Sequence, residues 1–326
     1  MSQDRPADEI IVVDDASTDN SLEIIERYAE KHPCIQILRS PKNIGVIGAL
    51  TRGLNAASKK YVYFGAADDF VLPGFFSTGL DALNANSKAG LFCGEMILID
   101  GNSGDFLDVR PPVRPRYTAG FIPPAQFSRL LRHNDNFILT GAALLNRDAA
   151  LEAGGFDENL STFADAYLVR KIAFSRGIYY MPRACLTWCI FPDSVSRTTS
   201  TQLDRTKAVF TAIQSRMTTD PIFPNWYWEV FARRWRFSLC RLAVQNTPIN
   251  SDILMDLGVR NAADRTLFIS AMNGFGAGLA RFIILFWLWL RFRPFSLFGL
   301  ISTAIARRLE PRLNRRSLSQ PAALPD

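Results

Sequence analysis

Cysteine is scarce and poorly spaced for a bonded framework. The five are Cys34, Cys93, Cys185, Cys189 and Cys240. Cys185 and Cys189 stand four apart with no second pair beside them, which leaves a zinc site short of ligands, and an odd count argues against a set of disulfides. The expectation is of reduced, mostly buried thiols in a cytosolic protein. Histidine is rarer still, with only His32 and His133. His133, inside Arg132-His133-Asn134-Asp135, reads as a polar loop residue rather than a ligand. The charged, polar opening MSQDRPADE does not read as a signal peptide. No uninterrupted apolar run reaches bilayer length; the densest, residues 282–290, is nine long.

Much else is ordinary for a folded chain. Of 326 residues, 48% are hydrophobic and 21% charged, enough for one large or two ordinary domains and against wholesale disorder. The net charge is +6, and most of the excess base lies after Arg197. A basic carboxyl end suits an anionic partner, lipid or nucleic acid. No nucleic-acid recognition motif accompanies it, so no nucleic-acid partner is expected.

The stretch YVYFGAADDFVLPG, residues 61–74, organises the rest. Residues 61–64 read as a buried strand. Small residues follow, then the adjacent carboxylates Asp68 and Asp69, then the turn Pro73-Gly74. Two acids at a strand's carboxyl end suit a hard divalent cation able to hold substrate phosphates; a solvated turn uses Asp in the same way.

Read in order, residues 9–13 form a strand ending in a second acid pair, Asp14 and Asp15. Residues 21–31 predict a helix with Leu22, Ile25 and Tyr28 on one face. A short strand at 35–38, a loop at 41–45 and a helix rich in small residues at 46–58 lead to the organising strand. Strands alternating with helices predict a mostly parallel sheet, which puts both acid pairs at the ends of strands of one sheet. Further on come a strand at 89–99, a hairpin turn at 101–104, a proline- and arginine-rich loop at 111–124, a helix beginning at 127, an apolar stretch at 138–145 and a short helix at 147–153. An amphipathic helix at 164–176 carries Asp165 in its first turn, and a last strand covers 178–181.

The phrase IIVVDDAS resembles the first strand of a response-regulator receiver, but a receiver also needs a late Lys-Pro, which is nowhere in the chain. Six motifs in order resemble the inverting GT-A-fold glycosyltransferase family 2 over roughly residues 9–197: VVDDASTD at 12–19, Asn43-Ile44-Gly45, Ala67-Asp68-Asp69, Thr140-Gly141-Ala142 with Gly154-Gly155-Phe156-Asp157-Glu158, Asp165 with Leu168 and Lys171 beyond it, and Ser194-Val195-Ser196. The resemblance implies a GT-A, Rossmann-like α/β fold, with Asp14, Asp15, Asn43 and Asp68 binding a nucleotide-sugar, Asp69 holding a divalent metal (Mn²⁺ or Mg²⁺), and Asp165 as the catalytic base. It implies transfer of a sugar from a nucleotide-diphosphate donor to a glycan or lipid-linked acceptor in cell-surface polysaccharide synthesis.

Three features depart from the family pattern. The family's first strand is not found before Glu9, which leaves strand 9–13 without its usual neighbour. Either the start lies upstream, or donor binding is impaired. Ala164 stands where the family has Glu, and Phe191 where it has His. A non-catalytic module that binds sugar nucleotide or glycan, or scaffolds a partner enzyme, is the alternative.

The expected organisation is a GT-A-like domain over 1–197 and a helical, basic and aromatic region over 198–326. In the latter, residues 225–245 mix tryptophans with arginines, residues 268–290 are apolar apart from Arg281, and Arg291, Arg293 and Pro294 precede a shorter apolar run at 295–306. Three readings stand: a helix lying in a membrane interface, a true span including Arg281, or a helical packing domain. The first places the protein peripherally on the cytosolic face of the membrane.

Overall fold

The computed structural model describes residues 3–191 and 203–309. The amino-terminal elements are β1 (Ile10–Asp14), α1 (Ser21–Lys31), β2 (Ile35–Arg39), α2 (Gly45–Ala56), β3 (Tyr61–Tyr63), β4 (Phe70–Val71), α3 (Phe75–Ala85), β5 (Leu91–Asp100), β6 (Phe106–Arg110), β7 (Gly120–Ile122), α4 (Pro124–Leu131), β8 (Ala143–Asn146), α5 (Arg147–Glu152), α6 (Ala164–Arg176) and β9 (Ile178–Ile190). The carboxyl-terminal ones are α7 (Leu203–Thr219), α8 (Tyr227–Gln245), α9 (Ala262–Gly274), α10 (Ala277–Phe292) and α11 (Leu297–Leu309).

The chain divides into two compact units. One holds residues up to Ser128 and Phe137–Ile190; the other holds Arg129–Asn136 and the carboxyl-terminal helices. The expected boundary near residue 197 falls outside the described residues, as does Ser194-Val195-Ser196.

The first unit departs from the mostly parallel sheet expected. β1 and β2 pair in parallel as a sheet of their own, and a seven-stranded sheet runs β3-β8-β5-β9-β4, with β6 on β5 and β7 on β9. In that sheet only β5 and β9 pair in parallel; β3·β8, β5·β8, β4·β9, β5·β6 and β7·β9 are antiparallel. Two of these pairings come from β8, which inserts between β3 and β5 and runs against both. Asp14 ends a strand of the small sheet, whereas the Asp68/Asp69 pair lies between β3 and β4 of the larger one, so the two acid pairs do not end strands of one sheet. Among the described residues β1 pairs with β2 alone.

β5 is the central strand, and nine of its ten residues are buried. A strand covered on both faces reads as a continuous apolar run rather than an alternation. Phe75, Leu83, Phe92, Met96, Leu98, Leu144 and Leu186 join α3 to β5, β8 and β9 in one core. Gly94 is required where β5 meets β9, because a Cβ there would sit 2.3 Å from Cys185 Sγ. Beside it lies a buried ion pair: Arg114, in the loop before β7, donates to Glu95 through Nε at 2.5 Å and Nη2 at 3.0 Å, and Tyr180 adds its hydroxyl at 3.2 Å.

The helix at 164–176 forms as expected, but it is not amphipathic. Nine of its residues are buried, because it touches β5, α5 and the helical turn Glu158–Phe163.

In the second unit, Phe237, Cys240 and Val244 of α8 pack with Phe268 and Ala271 of α9 and with Ile284, Leu288 and Phe292 of α10. Fully buried Asp264 of α9 accepts from Trp287 Nε1 at 2.8 Å and pairs with Arg291 at 3.1 Å. The aromatic stretch at 225–245 thus serves largely as packing core. All five cysteines are free, and four are buried, as expected.

Candidate active site

The two acid pairs do different work. Asp14 is 6% exposed and shapes its own turn, its Oδ1 accepting from Ser17 N at 3.3 Å and its carbonyl from Ser40 N at 2.8 Å. Ala16, next in the turn after Asp15, takes a left-handed backbone at φ 61°. Asp15 reaches thirty residues along the chain. Its two oxygens accept from the backbone N–H groups of Ile44 and Gly45, both at 2.8 Å. Those groups open α2, where unpaired N–H donors and the helix dipole favour a carboxylate. Exposed Asn43 joins them, its Oδ1 accepting from Gly45 N at 3.1 Å and its Nδ2 donating to the Asp15 carbonyl at 3.4 Å. Asp15, Asn43 and Gly45 therefore converge, as the motif order implies. Both Asp15 oxygens are engaged in holding this loop.

Asp68 is exposed and Asp69 half-buried, in the loop between β3 and β4. The loop is fastened to β9 by the β4 pairing and by Leu72 N donating to the Cys185 carbonyl at 3.0 Å. Asp69 Oδ1 accepts from Cys189 N at 3.0 Å. Burial pushes the Asp69 carboxyl up to about 6; the Cys189 N–H works against this and the Asp68 charge adds to it. Tyr63 is close enough that burial and the Asp69 charge together raise its phenol.

This pair fits a divalent cation. A carboxylate whose charge is disfavoured by burial and by a like-charged neighbour gains most from a cation beside it. Among the described residues no three His, Cys, Asp or Glu side chains gather around one point. An ion held here would draw on one or two carboxylates, with phosphate or water oxygens completing its shell, as Mg²⁺ commonly does.

Asp165 stands in the first turn of α6, half-buried. Its Oδ1 accepts from Ala166 N at 2.7 Å. Burial pushes its carboxyl up, against the hydrogen bonds from Thr140 and Ala166 and the charge of Arg170. Thr140 belongs to the helical turn Thr140–Ala142 ahead of β8. A carboxyl whose basicity is raised by its surroundings suits a general base.

Sequence reading missed two supporting groups, the Cys189 N–H and the Thr140 hydroxyl. A backbone donor carries no residue signature. Thr140 lies in the motif Thr140-Gly141-Ala142, but its partner Asp165 belongs to a different motif and a different element.

Comparison with known proteins bears on the family and the fold. Residues 1–153 match the profile of Glycosyl transferase family 2. The poly-beta-1,6-N-acetyl-D-glucosamine synthase of Staphylococcus epidermidis is 26% identical over 195 residues, which is 60% of this chain and 46% of that protein. Other curated relatives are 44% and 43% identical but over only 22% and 21% of their length, so the chain spans less than half of the curated relatives it matches. Among solved structures, S. aureus TarS 1-349 in complex with UDP-GlcNAc superposes with a TM-score of 0.58 at 16% identity, covering 88% of this chain and 82% of that one. The mannosyltransferase PcManGT from Pyrobaculum calidifontis, in complex with GDP-Man and Mn²⁺, gives 0.52 at 17%, covering 95% and 81%. The fold is that of the GT-A glycosyltransferases, and the amino-terminal part of the chain is a glycosyl transferase family 2 domain.

Proposed function

We propose that this protein transfers a sugar, with inversion, from a nucleotide-diphosphate sugar to a glycan or lipid-linked acceptor in cell-surface polysaccharide synthesis. The observation that carries the reading is the Asp68/Asp69 pair, with Asp69 pinned to Cys189 N and pushed up to about 6. Relatives and structural neighbours support it: one is a polysaccharide synthase, another is bound to UDP-GlcNAc, and a third holds GDP-Man with Mn²⁺.

Asp69, with Asp68 beside it, would hold Mn²⁺ or Mg²⁺, whose charge offsets that developing on the departing diphosphate. Asp15, through Ile44 and Gly45, fixes the loop carrying Asn43 against β1, the wall expected to meet the nucleotide. Asp14 sets the turn behind it. The acceptor hydroxyl attacks the anomeric carbon from the face opposite the leaving group. Its proton passes to an Asp165 oxygen as the new C–O bond forms and the bond to the diphosphate breaks. Thr140 and Ala166 orient that carboxylate.

A second reading draws on the separate β1–β2 sheet: a module that binds sugar nucleotide without turnover. Donor turnover separates the two. Release of UDP from UDP-sugars, or of GDP from GDP-sugars, that disappears in Asp165→Asn supports the transferase; binding with no release in any acceptor mixture supports the module.

A further inference from the structure

The last two helices turn apolar faces outward. α10 buries Ala280, Ile284, Leu288 and Phe292, a row at every fourth residue, in the core of the second unit. An offset of two residues turns a helix through about 200°, so Phe282 and Phe286 lie back to back with Ile284 and Leu288. Phe282 is 66% and Phe286 53% exposed, with Leu279 and Leu290 beside them. Phe282 stacks on Phe286 and Phe286 on Trp289, at 6.3 and 6.5 Å. A helix apolar all round belongs inside protein or lipid.

α11 is inverted outright. Its one fully buried residue is Thr303, while Leu297, Ile301, Ile305 and Leu309, four apart along one stripe, are exposed, and neighbouring Phe298 is 82% exposed.

Charge selects the occupant of these faces. Residues 277–309 contain five arginines (281, 291, 293, 307 and 308) and no Asp or Glu. Arg281 is tied to Asn246 and Thr247, and Arg291 to Asp264. Arg293 and Arg308 are exposed. A second copy laid on the same faces would set arginine against arginine, whereas an anionic lipid surface supplies both the apolar layer and the countercharge.

We propose that α10 and α11 dock on the interfacial layer of an anionic bilayer. Their Phe, Leu and Ile side chains enter the headgroup–acyl boundary, and Arg293 and Arg308 reach lipid phosphates. No single described helix is long and apolar enough to cross a membrane, and α10 and α11 reach that length and composition only as a pair bent 109° apart; their outward apolar faces suit lying on the surface. The inference rests on the second unit alone and stands apart from the proposed chemistry.

The test is vesicle flotation of the full chain without nucleotide. Phosphatidylcholine vesicles are compared with vesicles containing roughly 30 mol% phosphatidylglycerol. Flotation with the anionic vesicles only is expected. Phe282→Ser/Phe286→Ser, Phe298→Ser/Ile301→Ser and Arg293→Glu/Arg308→Glu should each lower the bound fraction about tenfold, with unchanged near-UV circular dichroism establishing that they fold. Absence of the natural chain from the floated fraction overturns the proposal. So does equal binding to neutral vesicles. So does a stable dimer that Phe282→Ser/Phe286→Ser splits by light scattering, which would assign the faces to a second copy.

Discussion

Asp69 accepts a hydrogen bond from the backbone N–H of Cys189, 120 residues further along the chain. That bond joins the acid loop after β3 to the end of β9 and holds one carboxylate oxygen in place. Burial still disfavours the charge, which one N–H does not offset. The carboxyl is thus fixed in position and costly to ionise until a cation arrives.

The pH dependence follows. With its folded pKa raised to about 6, Asp69 holds a proton in the folded state over a range where the unfolded chain has lost it. Stability from this site therefore rises as pH falls from about 6 towards the ordinary carboxylate range near 4. Asp69→Asn, permanently neutral, should melt higher than the natural chain at pH 8, with the gap closing towards pH 5. Mn²⁺ should raise the melting temperature of the natural chain and leave Asp69→Asn unmoved. Thermal melts at both pH values, with and without Mn²⁺, check both statements.

Asp165→Asn should lower kcat by about 10²- to 10⁴-fold, the usual contribution of a positioned base, while leaving nucleotide binding intact. Because burial raises its carboxyl, the rise of activity with pH should have its midpoint above the ordinary aspartate value. Rate profiles across pH for the natural chain, beside nucleotide titration of the variant, separate loss of chemistry from loss of fold.

Asp15→Ala removes the acceptor for two helix-opening N–H groups. The expected cost is about 1–2 kcal/mol. Nucleotide affinity should fall with it, because Asn43 is positioned through the same contact. Urea unfolding followed at a probe in the first unit measures the first effect, and calorimetry the second.

Arg114→Met leaves Glu95 charged and buried, and should cost about 3–5 kcal/mol; the double variant Arg114→Met/Glu95→Leu should recover most of that. Denaturant titration of the two variants checks the coupling.

Much of the first unit was legible because its signals are local. The helix at residues 21–31, read from its apolar face, has those limits in the structure, and the strand expected at 9–13 is shifted by one. What failed was non-local. Residues 138–145 are apolar with small side chains, and nothing in them shows that β8 slots between β3 and β5 running against both. β9 reads as ending at Met181 because Pro182 and Arg183 follow, yet it continues to Ile190. The register shifts there, with Cys93 opposite Tyr180 and Glu95 opposite Ala184, so residues 181–183 bulge against Gly94 and the proline needs no ladder partner. Candidate site residues stand out in the sequence where one motif names them, as at Asp15, Asn43 and Asp69. The Cys189 N–H that holds Asp69 and the Thr140 hydroxyl that holds Asp165 do not stand out, since contacts between separate elements leave no spacing to read.

The central claim is that Asp69 sits in a metal-dependent nucleotide site. Calorimetric titration of UDP into the full chain, with and without Mn²⁺, tests it most directly, with GDP and dTDP as further titrants and Asp69→Ala alongside. The account predicts that at least one nucleotide binds, that Mn²⁺ tightens the binding, and that Asp69→Ala removes the metal's effect. No binding of any of the three by folded protein, or binding indifferent to both Mn²⁺ and Asp69, would contradict it.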